Sequence, residues 1–176
     1  MKSASLRTRK RVPEIIGWRE HIALPQLGFP LLAAKIDTGA RTSALHAVDQ
    51  KIFTLDGEDW VEFSVPVHNR PTVRRVRAPL VDERKIKNTS GVPESRLVVR
   101  TQLLLGRHRW QIEVSLANRE KMEFDLILGR TAIRRRGILV DPGRSFVLGS
   151  PIEAAGSSGT AEGISAQVAS TKGSAK

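Results

Sequence analysis

Leu31-Leu32-Ala33-Ala34-Lys35-Ile36-Asp37-Thr38-Gly39-Ala40 opens as a short apolar run and closes on Asp-Thr-Gly. The run reads as a buried strand and the triplet as the tight turn that ends it. A carboxylate caught between an apolar strand and a glycine turn is partly desolvated. It titrates readily only if hydrogen bonds from the turn stabilise its charge. Asp37 is therefore the residue best placed for chemistry, although an aspartate that merely caps its turn is a common occurrence. Downstream comes a second apolar run closed by glycine, Phe124-Asp125-Leu126-Ile127-Leu128-Gly129-Arg130.

Around these two stretches strand signals dominate. Candidate strands are 14–18, 21–24, 31–36, 51–55, 60–67, 73–81, 96–105, 107–116, 123–128, 137–140 and 145–148. Leu105-Gly106-Arg107-His108 reads as a hairpin turn. A single short helix is expected, over 131–136. Many short strands with turn punctuation predict an all-β fold, a small closed or sandwich-like barrel. No internal repeat is visible.

The chain has 176 residues, one domain by the usual size prior. No apolar run approaches the roughly 18 residues of a membrane span. The basic N-terminus lacks the apolar segment of a secretory signal. Without cysteine there is neither a disulfide framework nor thiolate chemistry. These features favour the cytoplasm. Net charge is +11, and residues 13–150 alone carry 22 basic against 16 acidic residues. Such a domain attracts anionic partners at low salt. Residues 1–11 read as a disordered basic arm, 12–149 as the folded domain, and 150–176, rich in Gly, Ser and Ala, as a disordered tail.

Asp-Thr-Gly-Ala after an apolar strand and Ile-Leu-Gly-Arg downstream together resemble the two signatures of a retropepsin-type aspartic protease. Gly17-Trp18-Arg19-Glu20, residues 35–46 (KIDTGARTSALH) and Val140-Asp141-Pro142-Gly143-Arg144-Ser145-Phe146 sharpen the match. They are similar to a bacterial family of single-domain, retropepsin-like endopeptidases of the RimB type, long labelled ATP-dependent zinc proteases. Some members are associated with RimK-type ATP-grasp ligases, which add glutamates to a ribosomal protein. The resemblance covers about residues 12–149. It implies a retropepsin-like barrel in which the second strand threads beside the first and a short helix follows Gly129.

It also implies roles. Asp37 would be the catalytic aspartate, with Thr38, Gly39 and Ala40 completing the motif and Leu128, Gly129 and Arg130 supporting it. Two aspartates must share one proton, one acting as base toward water and the other as acid toward the carbonyl. This chain carries the motif once, so a protease of this type must be a homodimer that pairs Asp37 across a two-fold axis. The expected substrate is a peptide or protein, acidic or glutamylated. A non-catalytic binding or accessory module for an acidic peptide or a RimK-type ATP-grasp ligase is the alternative, and such a ligase or a ribosomal protein would be the partner.

One position departs from the pattern. Viral retropepsins carry an acid after Asp-Thr-Gly-Ala that pairs with the downstream arginine, but Arg41 stands here. Arg130 then needs another acid, Asp125 or Asp141. Arg41 either faces the cleft, where its fork would bind substrate carboxylates, or is simply solvated. Residues 82–96 lie where a retropepsin has its flap; as a lid they would bring Ser90 and Gly91 near Asp37, and otherwise they form a surface loop.

Neither metal nor cofactor is expected. His21, His46, His68 and His108 are widely spaced, and no HExxH or phosphate loop occurs. His46 is read chiefly as a packing or turn residue. The basic clusters 70–77 and 134–136 lack interleaved aromatics for base stacking, so a solvated face is favoured over nucleic-acid binding.

Overall fold

The computed structural model describes residues 12–66, 73–87 and 91–152. The basic arm, His68, Arg70, Ser90 and the chain beyond Ile152 lie outside them. The described residues form ten strands: β1 (Glu14–Leu24), β2 (Phe29–Asp37), β3 (Ser43–His46), β4 (Val48–Leu55), β5 (Glu58–Pro66), β6 (Val73–Lys87), β7 (Pro93–Leu105), β8 (His108–Ala117), β9 (Leu126–Gly129) and β10 (Ile138–Ser145). One helix, α1 (Arg130–Ile133), follows Gly129.

The strand order is β10-β1-β2-β9-β3-β8-β7-β6-β5-β4, and β1 also pairs with β7 through Ile22↔Leu105. That last pairing closes β1, β2, β9, β3, β8 and β7 into a ring, the all-β, retropepsin-like barrel that the sequence predicts. Closure is driven from within, because Ile22, Leu45, Leu103, Leu116 and Leu126 are fully or almost fully buried in one core. β9 is the insertion that defines the topology. It runs parallel to β2 (Asp37↔Gly129) and antiparallel to β3 (Ala44↔Ile127), so it separates two strands that follow each other in sequence. A central strand reads as a continuous apolar run, which is why Leu126-Ile127-Leu128 shows no alternation.

Several elements differ from their expected bounds. The two segments 14–18 and 21–24 are one strand, β1, interrupted by a register shift between Gly17 and Arg19. The segment 137–140 continues as β10 through Ser145, and the strand expected over 145–148 is absent, because Phe146 turns off at φ 52 and the chain runs on as a turn. Pro142 is tolerated there because β10 is an edge strand, where a missing N–H costs no ladder bond. α1 stops at Ile133 rather than running through 131–136, and Arg135 (φ 62) and Gly137 (φ 68) turn the chain back toward β10. Among the described residues no helix is long and apolar enough to cross a membrane.

Glu20 explains why two distant motifs belong together. Its carboxylate is fully buried, with Oε1 accepting from Gly17 N (2.7 Å) and Val147 N (2.9 Å) and Oε2 from Leu148 N (3.2 Å). Gly17 allows this closeness, since a Cβ there would lie 2.3 Å from Arg144 O. Glu20→Gln puts an amide N–H against backbone donors. We expect a loss of about 2 kcal/mol, read as a lower urea midpoint with an unchanged slope.

Candidate functional site

The turn after β2 is tied down from both sides. Ala40 N donates to Asp37 O (3.2 Å) and to Asp37 Oδ1 (3.0 Å), so the turn fixes one carboxylate oxygen. A Cβ on Gly39 would sit 3.3 Å from that same oxygen. On the far side α1 receives the loop: Arg130 N donates to Ala40 O (2.9 Å), and Thr131 N (3.2 Å) and Oγ1 (2.7 Å) donate to Arg41 O. The first N–H groups of a helix lack intrahelical partners, and here they hold the aspartate loop.

Arg130 finds a carbonyl rather than the acid its sequence position calls for. Its Nη1 donates to Gly39 O at 2.9 Å, while Asp141 accepts from Gly143 N at 2.9 Å within its own turn. Replacing an acid by Arg41 is thus accommodated: Arg130 keeps the aspartate loop as its partner, through backbone. Gly129 packs so closely on Thr42 that a Cβ would meet its carbonyl carbon and oxygen at 2.5 Å. Gly129 N also donates to Ser43 Oγ (3.2 Å), and Ser115 Oγ donates to Ser43 O (2.9 Å), which locks β9, β3 and β8 behind the loop.

Asp37 opens onto a cleft of about 1480 Å³, floored by residues 37–42 and walled by β6, β7, α1 and the loop after β8. The wall above is a two-stranded hairpin. β6 and β7 stay paired from Asp82↔Val98 to Lys87↔Pro93, beyond the point where β8 ends its pairing at Val98↔Ser115. Of the polar segment 82–96, residues 82–87 and 93–96 are therefore strand. The hairpin base is braced by Arg84, whose Nε bonds Asp82 (2.6 Å) and whose Nη1 bonds Glu113 on β8 (2.7 Å). The hydrogen bond from Arg84 holds the Glu113 carboxyl below the ordinary glutamate value, and Glu113 in turn raises Arg84.

Of the expected site residues, Asp37, Gly39, Ala40 and Arg41 line this cleft. Thr38 is exposed beside it, and Leu128 is buried behind. Gly91 lies exposed at the hairpin tip (φ 77), outside the cleft wall, which the hairpin stem forms instead. Ser90 falls outside the described residues. The cleft is cationic, with eight lysine and arginine residues in its walls against four acids. Arg41 is marked as a site residue by its place after the Asp-Thr-Gly motif, whereas Lys85, Lys87, Arg96 and Arg119 carry no such mark in the sequence.

The histidines go separate ways. His21 stacks on Phe146, and His108 pairs with Glu14. His46 is buried, its Nδ1 accepting from Arg119 N (2.9 Å), so its remaining proton sits on Nε2. Among the described residues no group of three or more His, Asp or Glu could hold a metal ion. Arg75 and Arg77 share Glu62 on a solvent-exposed strand face.

Residues 15–151 match the model of a family described as RimB-like, the retropepsin-like aspartic endopeptidase RimB. A protein of Desulfotalea psychrophila (strain LSv54 / DSM 12343), described as a probable alpha-L-glutamate ligase, is 45% identical over 138 residues. The match covers 77% of this chain and 30% of that protein. A protein of Shewanella halifaxensis (strain HAW-EB4) with the same description is 42% identical over 137 residues, again 77% and 30%. The chain thus spans less than a third of the length of these curated relatives. Among solved structures, Lpg0085 of Legionella pneumophila subsp. pneumophila str. Philadelphia 1, of unknown function (DUF785), aligns with a TM-score of 0.67 and 31% identity. That alignment covers 77% of this chain and 98% of Lpg0085.

Proposed function

The chain belongs to the RimB-like family of retropepsin-like aspartic endopeptidases, and on that premise we propose that it hydrolyses peptide bonds with two Asp37 carboxylates, one from each subunit of a homodimer. The observation that carries this reading is the placement of Asp37. Its side chain ends a barrel strand at the floor of a cleft wide enough for an extended peptide, under a hairpin that can cover it. One carboxylate would take a proton from water while its mate, protonated, polarises the scissile carbonyl. The excess of cations in the walls favours an acidic or glutamylated chain as substrate.

A single Asp37 per chain makes activity depend on association. Cleavage of a glutamate-rich peptide, followed across enzyme dilution, should fall faster than enzyme concentration once the dimer dissociates. Specific activity that stays constant while sedimentation reports a monomer would overturn the reading.

A second reading is favoured by the description of the relatives as probable glutamate ligases. In it the barrel is a non-catalytic module that holds an acidic peptide for an ATP-grasp ligase. This version predicts saturable binding of the same peptide with no cleavage at any enzyme concentration.

A further inference from the structure

We propose that Arg119 binds a side-chain carboxylate of the substrate in the cleft beside Asp37, and so sets a preference for acidic residues next to the scissile bond. The proposal rests on the endopeptidase reading above and adds the residue that recognises the acid.

Arg119 sits on the loop that leaves β8 at Ala117 and enters β9 at Leu126. The loop is polar yet held at several points. Ala47 N donates to Ala117 O (3.0 Å) and His46 N to Asp125 O (2.6 Å), which fastens both ends to one dipeptide. Between them, Arg119 N donates to the buried His46 Nδ1, Met122 N donates to Arg119 O (2.8 Å), and Trp18 packs edge-on against Phe124 at 5.9 Å. Trp18 and His46 belong to the sequence motifs that flank Asp37, and their task here is to hold this loop against the barrel.

The loop presents a half-buried guanidinium to the cleft. Nε donates to Phe124 O at 3.1 Å, which fixes the plane of the group. The arginines of the facing hairpin wall are engaged by acids, Arg84 by Asp82 and Glu113, and Arg96 by Glu94. Arg119 is bonded instead to a carbonyl. Burial and then Arg96 push its pKa down, against a smaller pull from Asp37 and Asp125. A partly desolvated cation in that position gains from an arriving carboxylate more than an exposed lysine does. Its planar fork matches a carboxylate in two-point geometry, and a loop already fixed loses little freedom on binding. Lys85, Lys87 and Lys121 are exposed and serve as general attraction.

The test separates recognition from turnover by using Asp37→Asn protein. Two labelled hexapeptides alternate glycine with glutamate or with glutamine, both amidated at the C-terminus to remove the terminal carboxylate, and affinities are read by fluorescence anisotropy. Arg119→Met should lower the glutamate-over-glutamine affinity ratio by about tenfold, the scale of one charge-assisted pair. Arg119→Lys, which keeps charge and loop but loses the fork, should lower it by a smaller factor. In the Asp37-containing enzyme the same ratio should fall in kcat/KM. An unchanged ratio in both variants overturns the proposal, as does an equal loss for both peptides with intact thermal melting. If Arg119→Met fails to fold, the Arg119→Lys ratio decides alone. A restored terminal carboxylate that accounts for the whole preference would assign Arg119 to chain ends and also overturn it. Because anisotropy needs no cleavage, failure of the endopeptidase reading leaves a distinct signature: intact discrimination with no turnover.

Discussion

Asp37→Asn should reduce peptide cleavage by about 10³-fold or more while leaving the barrel as stable as before. The size follows from the chemistry. An amide can neither accept the proton of the attacking water nor donate one to the carbonyl, and general acid–base catalysis contributes roughly 10²–10⁴-fold. In a dimer the substitution removes both groups at once. The fold is spared because the one hydrogen bond seen to the side chain, from Ala40 N to Oδ1 at 3.0 Å, can be accepted equally by the asparagine oxygen. The melting temperature should therefore stay within about 2 °C, corresponding to less than about 1 kcal/mol for a domain of this size. A sharper consequence follows from sharing the site. Excess Asp37→Asn protein, allowed to exchange subunits with active enzyme, should extinguish activity as mixed dimers form. Cleavage that survives in the variant, or active enzyme unaffected by a large excess of it, would place the chemistry elsewhere.

How much of this was legible in the sequence depends on where burial falls. Ile36-Asp37-Thr38-Gly39 and Ile127-Leu128-Gly129-Arg130 announce themselves because Ile36 and Leu128 are buried at the two strand ends that position the site, which sets an apolar residue just before each glycine turn. The apolar run of β2 reads as wholly buried, yet Leu32, Ala34 and Ile36 point inward while Leu31, Ala33 and Lys35 are exposed. The alternation was masked by apolar residues on the wet face. β3 escaped altogether: Ser43-Ala44-Leu45-His46 is only four residues long and buried throughout, so neither length nor period marks it. The hairpin stem was illegible for the opposite reason. Asp82, Glu83 and Lys85 are exposed, so nothing imposes a period of two, and the strand is held by backbone ladder bonds and by Arg84. Arg119 carried no signal, since its role depends on His46 and Phe124 meeting across a long stretch of chain.

Gly129→Val should be the most damaging single substitution near the site. Gly129 has φ −73 and ψ 164, an extended conformation open to any residue, so backbone strain is not the issue. Space is. A Cβ would fall 2.5 Å from Thr42 C and O and 2.9 Å from Thr42 N, and these are backbone atoms that cannot rotate away. Either β9 or the loop after Asp37 must move. Moving β9 breaks its pairing with β2 at Asp37↔Gly129 and the bond from Gly129 N to Ser43 Oγ. Moving the loop displaces Ala40 and Arg41, which α1 holds by their carbonyls. One methylene forced into a packed interior costs about 1–3 kcal/mol, and valine forces in three carbons against rigid neighbours. A loss of at least about 3 kcal/mol is expected, a large share of the roughly 5–15 kcal/mol that holds a domain together. At about 3 °C per kcal/mol the melting temperature should drop by about 10 °C. Gly57→Ala supplies the contrast. No heavy atom lies within 4 Å of a Cβ there, but φ is +81, so only conformational strain of about 1 kcal/mol should appear. A Gly129→Val protein melting within about 2 °C of the parent would mean that β9 does not pack on the aspartate loop as described. The threading that places Asp37 at the cleft floor would then have to be abandoned.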